Sequence, residues 1–219
     1  MIRLTKGPEP VILKRNAAAW TRELQTAIAI GQNLNDVRSR QYGHKDIKDA
    51  LIEETHAKCA YCESKPLHVD FGDVEHIIPK SVERQRTYEW ANLTLVCGRC
   101  NTYKSDKEGL FDPYAEDPGA YFEFHGPYIA NIPGSEIAYL TRTILKLNRT
   151  ELIERRVEKL DALGRQIEAV LGAKDPNARK LLAQALIADA RSAATEYSAF
   201  LNAFVQSAKS NGHLPGDLA

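Results

Sequence analysis

CAYC at 59–62, EHIIPKS at 75–81 and ANLTLVCGRCNTYKSDK at 91–107 decide how this 219-residue chain is read. Its cysteines are Cys59, Cys62, Cys97 and Cys100, in two CxxC pairs with none left over. A CxxC turn places two sulfurs on one side of a tight loop. Two such turns supply four thiolates, a closed tetrahedral set suited to Zn²⁺. The 34 residues between the pairs, 63–96, exceed those of a compact zinc ribbon, so the site staples a longer excursion of chain. Four protein ligands leave no open position for a substrate, which makes the expected metal structural. The competing readings are two unrelated pairs, a redox dithiol or an iron–sulfur cluster. A redox motif needs only one pair.

Working outward, the bulk properties are those of a globular chain: 43% hydrophobic and 26% charged residues argue against wholesale disorder. Met1 to Ala19 is polar and basic and has no apolar stretch of the kind a signal peptide carries. No apolar run is long enough to span a bilayer, and the expected compartment is the cytoplasm. The net charge of zero conceals a segregation. Residues 1–48 hold nine Lys/Arg against four Asp/Glu, and residues 76–107 hold six against three. Residues 111–140 hold five acids and no Lys or Arg. A polyanion is drawn to the first two regions and repelled by the third, although charge runs taken alone more often mark solvated faces.

The pattern predicts an α+β fold in three parts. Residues 1–57 form an N-terminal helical and partner-docking region. Residues 58–113 form the cysteine-framed module. Residues 114–219 form an acidic, aromatic segment and a C-terminal helical hairpin. In the first part Gly7, Pro8 and Pro10 interrupt any helix, and Asn16 can cap one running to about Ile30. A loop follows from Gly31 to Gly43, then a helix from about Lys45 to Ala57. VDFGDVEHI (69–77) and the run from Asn92 read as strands, with a short helix after Cys100. Residues 108–136 suggest a loop and short strands. Asn148 or Thr150 can cap a helix ending near Gly172, and Asp175-Pro176 opens another that runs to Asn211-Gly212.

Within the cysteine frame the polar residues suit hydrolysis. His76 has the side-chain type that acts as general base near neutrality. Glu75 precedes it, so on a regular strand the two side chains point to opposite faces, and the chain must turn there for both to serve one site. A carboxylate at Glu75 and a carboxamide oxygen at Asn101 are hard ligands suited to Mg²⁺. Any one of these residues alone means little; a lone His is more often packed or surface-exposed than catalytic.

Their order resembles that of the HNH endonucleases, the ββα-metal family, through EHIIPKS, Asn92-Leu-Thr-Leu and C97-G-R-C-N-T-Y-K. The resemblance implies that His76 is the general base and that Asn92 braces the loop and helps orient it. It implies that Asn101 ligates a catalytic Mg²⁺ or Mn²⁺, and that Glu75 shares that ion. The third motif letter is Asn, an H-N-N variant, and Glu75 stands where Asp is usual, lengthening the arm by one methylene. Lys80, Arg84, Arg99 and Lys104 are the expected phosphate contacts, Lys104 foremost because it follows Asn101 by one helical turn.

The likeness extends over most of the chain to the HNH nuclease subunit of Septu-type and retron-associated anti-phage systems. It is carried by the I-x-L-x-K-x-x-x-P opening, Trp20, C-A-Y-C-E, D112-P-Y and the helical C-terminal part. That group works beside an SMC/ABC-like ATPase. No G-x-x-x-x-G-K-[ST] run occurs here, so such an ATPase would be a separate chain. Residues 111–140 or the C-terminal hairpin would be its docking face. The expected substrate is DNA, with RNA also open. The alternatives are a free-standing restriction-type HNH nuclease, which usually carries a sequence-reading element, and a non-catalytic zinc-dependent nucleic-acid-binding module.

Overall fold

In a computed structural model of the chain, residues 1–32 and 41–214 are described, and the loop expected over 31–43 falls largely outside them. Among the described residues the chain is α+β, with seven α-helices and two small antiparallel sheets. It divides into two compact units. One is Arg3–Glu116; the other is built from residue 117 onward together with Met1 and Ile2.

In the Arg3–Glu116 unit, α1 (Val11–Ala29) starts directly after Pro10 rather than at Asn16. The earlier start buries Leu13 completely, and that burial outweighs the capping preference of Asn16. Asn16 lies inside the helix and donates from Nδ2 to the Ile12 carbonyl at 2.7 Å. Helix α2 (Lys45–Glu54) opens with the His44 ring accepting from Asp46 N at 3.2 Å. It stops before 57, because His56 and Ala57 take positive φ angles of 55° and 59°. Leu13 and Leu24 of α1, Ile47 and Leu51 of α2, and Tyr88, Trp90, Leu93 and Leu95 form one core. The helices ahead of residue 58 and the motif segment are thus packed as a single body.

Strand β1 (Asp73–His76) pairs antiparallel with β2 (Leu93–Val96), so Glu75 lies opposite Thr94 and His76 opposite Leu93. The strand is shorter than the alternation from Val69 suggested. Gly72 takes φ +66°, and a Cβ there would approach Leu95 Cδ1 to 3.2 Å, so the chain turns before pairing begins. After β2, Cys97 caps α3 (Gly98–Lys104), accepting from Cys100 N at 3.5 Å. The order is strand, strand, helix.

The irregular N-terminal stretch is held by charge. Lys6 Nζ donates to Glu54 Oε1 at 2.8 Å and to the Leu93 carbonyl at 2.5 Å, and it sits 4.0 Å from the Trp90 ring centroid. Glu54 also accepts from Gly7 N at 3.0 Å and from the Tyr114 hydroxyl at 2.6 Å. Trp90 Nε1 donates to the Gly7 carbonyl at 2.9 Å. A segment with no secondary structure is thereby tied to the first residue of β2.

The second unit opens with a hairpin of β3 (Phe122–His125) and β4 (Tyr128–Asn131), whose two-residue turn has Gly126 at φ +56°. Helices α4 (Glu136–Ile144), α5 (Thr150–Gly172), α6 (Pro176–Arg191) and α7 (Ser198–Ser210) follow. Asn148 does not cap α5. Its amide donates to the Ile129 carbonyl and accepts from Ile129 N, each at 2.9 Å, clamping β4. Asp175 does cap α6, accepting from Asn177 N and Ala178 N. The single second arm expected from 176 to 211 is two helices, broken at 192–197. Tyr197 takes a left-handed φ of 58° with its ring buried. The break lets Leu201 and Val205 of α7 fold back onto Leu186, Ile187 and the apolar face of α5.

Glu54 is the shared acceptor of the N-terminal stretch, and its side chain is 2% exposed. Glu54→Ala is expected to lower the unfolding free energy by about 3 kcal/mol, because it removes the shared acceptor of a half-buried ammonium, a backbone amide and a half-buried hydroxyl. Urea denaturation followed by tryptophan fluorescence measures this; a loss below about 1 kcal/mol would contradict the arrangement.

Candidate active site and metal centre

The four cysteine sulfurs converge as their spacing predicts. All four residues are buried and their Sγ atoms lie within 4.8 Å of one another. Cys62 Sγ and Cys97 Sγ are 3.8 Å apart. A tetrahedron with metal–sulfur arms of about 2.3 Å has edges of about 3.8 Å, so the cluster has the dimensions of a zinc site. Burial pushes the Cys59 thiol well above its ordinary range. Four thiolates in such a place require a compensating cation, and the donor set fits one.

The second constellation lines a cleft of about 370 Å³ bounded by Glu75, His76, Pro79, Lys80, Ser81, Arg84, Asn101, Ser105 and Asp106. Glu75 and His76 do share it, although they alternate on β1. His76 is the last strand residue, and its ring turns to the loop that follows while Glu75 faces α3. His76 is 2% exposed, and its Nε2 donates to the Thr87 carbonyl at 2.9 Å. A carbonyl only accepts, so the proton of the neutral ring is on Nε2 and the basic nitrogen is Nδ1. The Tyr42 ring meets the imidazole at 90°, with centroids 5.0 Å apart.

Asn92 is 1% exposed and does not line the cleft. Its amide accepts from Ile78 N at 2.8 Å and donates to the carbonyls of Ile78 at 3.0 Å and Arg86 at 3.2 Å. It thus ties together the loop that carries Lys80, Arg84 and Thr87. Asn101 donates from Nδ2 to Asp73 Oδ2 at 2.8 Å, which turns its Oδ1 to the opposite side of the amide. Asp73 escaped the sequence reading. The signal was there, since Asp73 is two residues from Glu75 and so on the same strand face.

Lys104 departs most from expectation. It is fully buried and donates to Glu75 Oε1 at 2.9 Å and to the His76 carbonyl at 2.7 Å. It therefore makes no phosphate contact; it fastens the end of β1 to α3. Asn101 and Lys104 lie one turn apart on α3, and both bond to residues of β1. Burial nevertheless raises the Glu75 carboxyl above the usual carboxylate range, outweighing the opposing pull of Lys104. Arg99 is exposed on α3 and is not among the lining residues, whereas Lys80 and Arg84 are. Lys80 donates to the Tyr42 hydroxyl at 2.9 Å. No sequence signal pointed to Tyr42, which packs against two lining residues, Lys80 and His76, from outside the motif.

Lys104→Met is expected to cost about 3 kcal/mol of stability by leaving Glu75 buried without its cation. Lys80→Met, at a half-buried lysine of the same cleft, is expected to leave the urea midpoint almost unchanged. Equal midpoints for both variants would contradict the division of roles between the two lysines.

Residues 59–107 match the HNH endonuclease family. The chain is also similar to Septu protein PtuB of Bacillus thuringiensis, with 32% identity over 128 residues, covering 56% of this chain and 46% of that protein. The aligned part thus spans under half the length of this relative. The match begins at the first cysteine and closes just past α3, so it coincides with the strand–strand–helix element and its four-cysteine frame. The four-cysteine, strand–strand–helix element is thus similar to the HNH endonucleases, and it lies in a chain similar over part of its length to a Septu protein.

Proposed function

We propose that the chain is a metal-dependent endonuclease that hydrolyses phosphodiester bonds in DNA. We further propose that it is the nuclease effector of an anti-phage defence complex with a separate SMC/ABC-like ATPase subunit. The observation that carries the reading is the single cleft in which His76, Glu75 and Asn101 meet Lys80 and Arg84. A base, two hard oxygen donors and two cations around one cavity are what hydrolysis of a phosphodiester requires.

In this reading His76 takes a proton from a water at Nδ1. The hydrogen bond from Nε2 to Thr87 holds the ring, and the Asn92 ties hold the loop that supplies that carbonyl. The oxygen donors fit a Mg²⁺ or Mn²⁺ ion. Glu75 has one oxygen engaged by Lys104 and the other open to a metal, and Asn101 is oriented by Asp73. Such an ion would polarise the phosphate and stabilise the leaving 3′ oxygen. Lys80 and Arg84 would hold the flanking phosphates. The products would carry 5′-phosphate and 3′-hydroxyl ends. The cysteine cluster would hold Zn²⁺ as a structural ion outside the cleft. Among the described residues no helix is long and apolar enough to cross a membrane, in keeping with the proposed cytoplasmic setting.

Plasmid DNA incubated with the purified protein, with and without Mg²⁺ or Mn²⁺, tests the enzyme reading. Cleavage is expected only with metal and should fall by at least about a hundredfold in His76→Ala, the scale of a lost general base. DNA binding without cleavage by both proteins would instead favour the non-catalytic zinc module. Stripping zinc, verified by elemental analysis, is expected to lower the melting temperature and abolish cleavage while leaving every cleft residue chemically intact. An unchanged melting temperature after verified removal would reject a structural zinc.

A further inference from the structure

We propose that Tyr42 is a positioning residue of the cleft, seating Lys80 for a substrate phosphate with its hydroxyl and backing the His76 imidazole with its ring. The inference rests on the nuclease reading of that cleft and concerns a residue outside the matched domain.

Three contacts converge on this one side chain. Its hydroxyl accepts from Lys80 Nζ at 2.9 Å. The Lys80 ammonium is 4.5 Å from its ring centroid. The ring stands at 90° to that of His76, with 5.0 Å between centroids. Lys80 and His76 line the cleft from opposite ends of the segment Ile77–Pro79, and Tyr42 is packed against both. The backbone that presents Tyr42 is anchored. Gln41 beside it is 7% exposed, accepts from the buried Tyr88 hydroxyl and donates to Glu23 Oε2 of α1 at 2.7 Å.

The physical advantage is preorganisation. A lysine on a free surface must give up rotamer freedom to hold a phosphate. Here the hydroxyl takes one of the three ammonium protons and leaves two for an anion, so part of the ordering precedes binding. The ring has a separate task. It closes one side of the imidazole, while the Thr87 carbonyl fixes Nε2. Hydroxyl and ring should therefore fail separately.

The test is a double-mutant cycle on duplex binding plus a kinetic split. A fluorescein-labelled DNA duplex is titrated by anisotropy, in buffer without added divalent cation, against wild type, Tyr42→Phe, Lys80→Met and the double variant. Tyr42→Phe is expected to weaken binding about tenfold, the lower range for a hydrogen bond to a charged group. Lys80→Met should weaken it at least as much, and the double variant no further than Lys80→Met alone. In Mn²⁺-supported cleavage, Tyr42→Phe should raise KM and leave kcat within about twofold, whereas Tyr42→Leu should also lower kcat about tenfold. Phe restores the ring but not the hydroxyl, so a general structural defect would not reproduce this pattern.

Additive losses in the double variant would overturn the proposal, as would Tyr42→Phe binding like wild type. Failure of the wild-type protein to bind the duplex would overturn it too. Duplex binding with no cleavage by wild type would remove the nuclease reading, and the binding cycle would still decide the role of Tyr42.

Discussion

Four thiols drawn within 4.8 Å of one another are the constraint on which this molecule turns. They fasten residues 59–62 to residues 97–100 and so close the excursion that carries the cleft. Backbone bonds extend the tie: Ala60 N donates to the Leu95 carbonyl at 2.9 Å, attaching the first knuckle to β2. The second knuckle is the start of α3, with Cys97 as its cap. Asn101 follows Cys100 directly, so the cluster that closes the loop also sets where that side chain stands. The strand pairing of His76 with Leu93 then completes the geometry from the other side.

The cleft depends on charge neutralised beneath its floor. Glu75 is buried and would be costly there alone. Lys104 answers it from α3 and also takes the His76 carbonyl, the strand's last acceptor. The N-terminal stretch repeats the device. Lys6 meets Glu54 and the Leu93 carbonyl, which belongs to the residue facing His76 across the sheet. Two lysines thus hold the two strands at the level of the proposed base, one from each side. Neither is available to a substrate, and the cations that are available, Lys80 and Arg84, ride on the loop that Asn92 ties down.

The sequence made several of these features legible because their signals are local. Two CxxC turns announce a metal cluster through spacing alone. Period-two alternation brings Asp73 to the Glu75 face. Asp175 followed by Pro176 announces the start of α6, because capping is decided within one turn. Where a second demand competed, local signals failed. Asn16 has the chemistry of a cap but lies within α1, since burying Leu13 is worth more than one capping bond. Asn148 spends its amide on β4, where two backbone groups of Ile129 would otherwise be unpaired. The helical pattern from 176 to 211 continues across a break that only the packing of α7 against α5 and α6 requires.

By itself, the sequence determined the α+β class and the four-cysteine frame, and it singled out Glu75, His76, Asn92 and Asn101 as the polar set inside that frame. Each of these is written in residue type and short-range spacing. Tertiary structure alone decided which charges face the cavity. Helical periodicity offers Lys104 as a phosphate contact, yet the turn it shares with Asn101 faces β1, and a buried Glu75 claims its ammonium. Tyr42 entered the site from a distant stretch because the shared core of α1, α2 and β2 brings it there. Periodicity tells which side chains share a face; only the packed chain tells what that face meets.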